Sequence, residues 1–176
     1  MSLKTIIAGF LMLALTGCAS MKLEDFNGET PQFVLEDYFE GKTRGYGLFE
    51  SRGGKISTRF VVDIVGRWEG DVFLLEEDFL YSDGKREFFT WRITKTGENT
   101  YEGTREGVVG VAIGMQNGNA LNWRYKMDLP RGDGTIRLSF DDWMILQPDD
   151  VLMNRARVSK FGLHVGSVTL SFAKVD

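Results

Sequence analysis

From Tyr46 to the C-terminus, apolar and polar residues alternate in runs rich in Val, Ile, Phe, Tyr, Trp and Thr, the period of strands with one dry and one wet face. In STRFVVDIVGRW, Thr58, Phe60, Val62, Ile64 and Trp68 share one face, opposed by Arg59, Asp63 and Arg67. In REFFTWRITK the apolar set is Phe89, Trp91 and Ile93, against Arg92 and Thr94. In NALNWRYKMDL it is Leu121, Trp123, Tyr125 and Met127, against Asn122, Arg124, Lys126 and Asp128.

Turn signals divide these runs at Gly53-Gly54, Gly70, Asp83-Gly84, Gly97, Asn117-Gly118, Gly132 to Gly134 and Pro148. Asp-Gly and Asn-Gly suit tight primed hairpins because both central residues take positive φ. The spacing leaves strands of roughly ten residues, longer than a sandwich with turn signals every 8–12 residues would hold. Sequential long hairpins predict an all-β, antiparallel, up-and-down barrel of about 8–10 strands, closed to hide its edges. Before it, Thr30-Pro31 reads as a helix cap with proline at the first helical position, so PQFVLEDYF predicts a short helix.

The N-terminus carries one cation, Lys4, and then an apolar run from Ile6 to Leu15. That run is too short to cross about 30 Å of hydrocarbon, so residues 1–17 read as a signal peptide. Its end, Leu15-Thr16-Gly17-Cys18, resembles the lipobox of bacterial lipoproteins. The resemblance implies cleavage before Cys18, the single cysteine of the chain, with acyl chains on its sulfur and amine. Two or three such chains anchor a protein firmly. Ala19 stands where lipoprotein sorting reads aspartate as inner-membrane retention, which implies a lipid-anchored place in the outer membrane, facing the periplasm. Residues 18–30 read as a lipidated tether and residues 31–176 as the barrel domain.

A lone acylated cysteine forms no disulfide, so the fold must rest on its core. The net charge of −4, spread along the chain, argues against nucleic acid as a partner.

Two carboxylates stand on apolar faces. Glu77 is in phase with Phe73, Leu75, Phe79 and Tyr81, and Asp142 with Leu138, Phe140 and Met144. On a membrane-spanning barrel these positions would face acyl chains, where a charge is costly, so the dry face reads as the interior of a soluble barrel. A buried carboxylate needs hydrogen bonds or a cation, and Arg124, Arg155 and Lys160 are the candidates to supply one. One reading is a polar network that fixes strand register. The sharper one has Glu77 and Asp142 orient the polar head of an amphipathic ligand whose tail packs on Trp91, Trp123, Tyr125 and Phe140. Acid–base chemistry by the pair, as an isomerase or hydratase, is a third, and no nucleophile is legible beside them.

Other motifs carry little. His164 is the only histidine and reads as a surface or strand-end residue. Asp141-Asp142 and Asp149-Asp150 lack the spacing of a calcium loop. Arg131-Gly132-Asp133 reads as a hairpin turn, and no phosphate-binding glycine loop opens a helix. No metal or cofactor is expected.

The blocks YFEGKTRGYGLFESRGGK, FVVDIVGRWEG, EEDFLYSDGK, WRITKTGENTYEG, GNALNWRYKMDLP, FDDWMILQPDDVLMNRARVSKFG and GSVTLSF together resemble a family of bacterial lipoproteins, domain of unknown function 3833. The resemblance implies a calycin-like, or lipocalin-like, barrel and brings no catalytic residue with it. The expectation is a non-enzymatic container for a hydrophobic or amphipathic small molecule, such as a lipid or fatty acid. The alternative is an envelope scaffold with a filled barrel, holding a protein partner on its outer face.

Overall fold

The computed structural model describes residues 20–175; the expected signal peptide and the acylated Cys18 lie outside the described residues. Ten antiparallel strands follow one another: β1 Gly41–Ser51, β2 Ile56–Glu69, β3 Val72–Tyr81, β4 Arg86–Gly97, β5 Thr100–Thr104, β6 Ala112–Asn117, β7 Ala120–Arg131, β8 Gly134–Leu146, β9 Leu152–Lys160 and β10 Leu163–Lys174. Each pairs with its sequence neighbours, and β1 pairs with β10 from Thr43↔Lys174 to Ser51↔Gly166, which closes the barrel. Closure leaves no edge strand as a template for aggregation. Between β3 and β4, Gly84 takes φ 88°, a conformation open to glycine at little cost.

The alternation points the apolar set inward. Val62, Ile64, Phe73, Leu75, Trp91, Ile93, Leu121 and Trp123 are all buried, and with Phe172 and Leu170 they make one continuous core. Trp68 departs from this. It shares the inward phase of Ile64 but lies past the closed end of the barrel, 44% exposed, with its ring edge-on to Phe73 at 5.2 Å.

One end of the barrel has a floor. A helix, α1 (Leu35–Phe39), buries Leu35, Tyr38 and Phe39. The Phe39 ring meets Tyr38 at 5.0 Å and Phe172 at 5.7 Å, both edge to face. Its carbonyl lies so close to Gly66 that a Cβ at that position would collide with it. Lys174 donates to the Tyr38 carbonyl at 2.7 Å, satisfying an acceptor near the helix end. The helix begins later than the sequence predicted, at Leu35 and not Pro31. The Phe33 N–H donates to the Gly118 carbonyl at 2.9 Å, and Val34 is extended at φ −122°, ψ 120°, so tertiary pairing holds that stretch straight.

The segment read as a tether is docked from Leu23 onward. A 3₁₀ turn, Leu23–Phe26, lies against the outside of β6 and β7. The Asn117 side chain donates to the Leu23 carbonyl at 2.9 Å, and the Phe26 ring sits 5.7 Å from that of Trp143. Beside this strap the outer face is dry, contrary to the expected wet face at Asn122. That side chain is 1% exposed and donates to Asp141 Oδ1 at 2.8 Å and to the Asp142 carbonyl at 3.1 Å.

The wall is notched at the other end. β5 and β6 are short, and residues 105–111 between them run beside β7, with Val109 donating to Lys126 at 2.8 Å and Asp128 to Gly107 at 2.8 Å. β5 pairs with β4 only over Arg92–Gly97. Above Trp91, the register of β4 is with β3 alone.

Candidate functional site

Above the floor the barrel encloses a cavity of about 520 Å³, bounded below by Leu35 and Phe39 and opening at the notched end past Tyr81, Glu106 and Pro130. All six predicted ligand-facing residues, Glu77, Trp91, Trp123, Tyr125, Phe140 and Asp142, line it. They come together through strand register. Glu77 pairs with Phe89 across β3 and β4, Tyr125 with Phe140 and Trp123 with Asp142 across β7 and β8.

The aromatic wall is ordered ring against ring. Trp91 meets Trp123 edge to face at 5.6 Å and Tyr125 at 5.4 Å, while Tyr125 and Phe140 stack at 4.7 Å with 4° between planes. Two inward glycines make room for this. A Cβ on Gly103 would lie 2.5 Å from Trp123 Cζ2, and one on Gly114 would overlap the same indole. β5 and β6 therefore pass behind Trp123 as bare backbone.

The acids have partners other than those the sequence suggested. Arg105 is the cation for Glu77, with Nη1 donating to Oε2 at 3.1 Å; the side chains are 11% and 14% exposed. Its guanidinium lies 3.8 Å from the centroid of Phe89 and 5.5 Å from that of Trp91, a cation–π arrangement strengthened by low dielectric. Arg105 Nε is buried with no protein acceptor. Arg124 instead holds Asp141 on the outer face at 3.1 Å. Arg155 is exposed, and Lys160 ends β9 outside the cavity lining. The alternation excludes Arg155 for a physical reason, since Leu152, Asn154, Ala156 and Val158 take the inward positions of that strand.

Among the described residues no cation pairs with Asp142. Asn154 donates to its Oδ1. Burial drives the Asp142 carboxyl up to about 7, against the opposing pull of the Asn154 hydrogen bond and with some help from the charge of Asp141. Burial likewise lifts Glu77 to about 7, although Arg105 opposes the rise. The Tyr125 hydroxyl is pushed well above its ordinary value, first by burial and then by Asp142. At the rim, Glu87 accepts from Lys85 at 2.7 Å.

The lumen can thus seat an apolar body against rings and offer hydrogen-bond acceptors to its polar end. Among the described residues lining it there is no Ser, Thr, Cys, Lys or His. His164 stands in β10, 3.2 Å from Ser167 Oγ, outside the lining. Sequence reasoning missed Arg105 and Asn154. Both sit in the inward phase of their neighbours, Tyr101 and Gly103 for one and Leu152 and Ala156 for the other, which was the available signal.

A closed antiparallel barrel with a floor helix and an aromatic, acid-bearing lumen is a lipocalin-like fold. Its likeness to a solved structure agrees: the S-type phycobiliprotein lyase CPES from Guillardia theta superposes with a TM-score of 0.56 at 11% identity, covering 89% of this chain and 93% of that one. Residues 12–174 match the family model described as protein of unknown function (DUF3833), and the chain belongs to that family. No curated protein matches it.

Proposed function

We propose that the chain is a container for an apolar or amphipathic small molecule, held at the outer membrane by acyl chains on Cys18 with its barrel in the periplasm, and without a catalytic role. The cavity of about 520 Å³ carries the reading, since it falls within the roughly 300–1,000 Å³ of small-molecule sites and joins apolar walls to a few convergent polar groups. The barrel it shares with a phycobiliprotein lyase supports the same reading.

The polar groups narrow the guest. The lumen lining holds two carboxyls, Glu77 and Asp142, and one guanidinium, Arg105, which pairs with Glu77, so the guest's polar end is an N–H or O–H donor. A lipid alcohol or amine meets this directly, and a fatty acid fits when protonated. The rings of Trp91 and Trp123 report occupancy. Protein purified without detergent is extracted and the extract analysed by mass spectrometry, then stripped protein is titrated with dodecanol, dodecylamine and laurate while tryptophan emission is followed. Saturable quenching is expected, strongest for the alcohol and amine. An empty extract together with no quenching by any of the three refutes the container.

The scaffold alternative rests on outward apolar side chains, notably Phe88, 67% exposed, and Tyr46, 59% exposed. Crosslinking that recovers one envelope protein in fixed stoichiometry would favour it.

A further inference from the structure

Two adjacent hairpin tips at the open end differ in chemistry from the rest of the chain. The β1–β2 and β9–β10 turns lie side by side because β1 pairs with β10 and the Arg52 backbone N–H donates to the Val165 carbonyl at 3.0 Å. In a chain of net charge −4, residues 51–62 and 151–175 hold no acidic residue, yet they supply Arg52, Lys55, Arg59, Arg157 and Lys160 at or near this corner. Of the acids on neighbouring elements, Asp141 is held by Arg124 at 3.1 Å, and Asp83 accepts from the Lys85 N–H of its own turn at 3.0 Å. Glu50 on β1 and Asp133 in the β7–β8 turn are the acids left near this corner.

The same tips expose apolar side chains. Phe161 is 93% exposed, Leu163 67% and Ile56 51%. The β9–β10 turn has two residues, Phe161 at φ 51° and Gly162 at φ 80°, a primed hairpin that asparagine or glycine would occupy without steric cost. A phenyl group there is disfavoured by its own backbone and by water. Such an outlier points to contact with something apolar.

We propose that this corner of the mouth docks on an anionic lipid bilayer, with Phe161 and Leu163 seated at the boundary of headgroups and acyl chains and Arg52, Lys55 and Lys160 against phosphate groups. Exposed aromatic and aliphatic groups at the tip match that boundary, and the flanking cations match an anionic surface, where each is worth about five-fold in binding. Docking brings this corner of the mouth against the membrane. The proposal does not depend on what the lumen holds.

The test uses residues 18–176 in a Cys18→Ser background, which leaves out the expected signal peptide and removes the single native thiol. A polarity-sensitive dye is placed on Gly53→Cys, at the open end, or on Asp71→Cys, in the β2–β3 turn at the closed end. Vesicles of phosphatidylglycerol are compared with vesicles of phosphatidylcholine. The expected result is a blue shift from the dye at position 53 with phosphatidylglycerol, at least about ten-fold stronger partition than to phosphatidylcholine, weakening in high salt, and silence from position 71. A Phe161→Asn, Leu163→Thr variant should lose about ten-fold or more in that shift's affinity, with an unchanged or higher melting point because asparagine accepts the turn. A silent dye at position 53, equal partition to both vesicles, a shift at position 71 alone, or a parent-like double variant would each overturn the proposal.

Discussion

Replacing Asp142 by asparagine removes a charge that the fold holds at a cost. Burial raises that carboxyl from an ordinary 3.8 to about 7, and about 1.4 kcal/mol accompanies each pH unit of displacement. The native side chain binds its proton more tightly than the unfolded one. Between about pH 4 and pH 7 unfolding therefore releases protons, and stability falls as pH rises. Above about pH 7 the loss is complete, up to about 4 kcal/mol, while below about pH 4 both states are protonated and nothing is lost. The groups facing Asp142 leave this intact: Asn154 donates to it and the neighbouring Asp141 repels it. Asparagine keeps the shape and still accepts from Asn154. Urea unfolding at about pH 5 and about pH 8, run on parent and Asp142→Asn, is the assay. The variant should exceed the parent by about 1–2 kcal/mol at about pH 5 and by about 4 kcal/mol at about pH 8, its residual slope coming from Glu77, whose carboxyl lies at about 7 against an ordinary 4.5. A variant less stable than the parent at about pH 8, or a parent whose buried carboxyls give no downward slope, refutes the reasoning.

Two further changes test the lumen's construction. Arg105→Met leaves Glu77 buried without its cation, so the chain should lose about 3–5 kcal/mol at about pH 8 and much less at about pH 5, where Glu77 is already protonated; the same urea series reads it. Gly103→Ala places a methyl 2.5 Å from the Trp123 indole and should cost about 1–3 kcal/mol by overpacking, accompanied by a shift in tryptophan emission that a surface Gly53→Ala control does not show.

The barrel was legible because period-two patterning and glycine turns act locally. Phe60, Val62 and Ile64 declare the inner face of β2 without help from distant chain. Glu77 and Asp142 were legible for the same reason, as polar residues in an apolar phase, and the fold brings both to one cavity. Their partners were harder to find because charge alone suggested them. Arg124 and Arg155 alternate outward, whereas Arg105 reaches the lumen from just past β5, in phase with Tyr101 and Gly103 but beyond a strand of only five residues. The strap at Leu23–Phe26 and the late start of α1 depend on Gly118 and Trp143, more than eighty residues away, and no local propensity encodes that. Trp68 shows the converse limit, since alternation gives a face but not how far up the barrel that face stays enclosed.

The floor laid by α1 makes the barrel a blind alley. In the container we propose, a guest that enters past Tyr81 and Pro130 meets Phe39 and must turn back, so arrival and departure share one doorway. A second molecule cannot push the first out from behind. Turnover is a matter of swapping at the threshold, and how long a guest stays is governed there, however well the depths fit it.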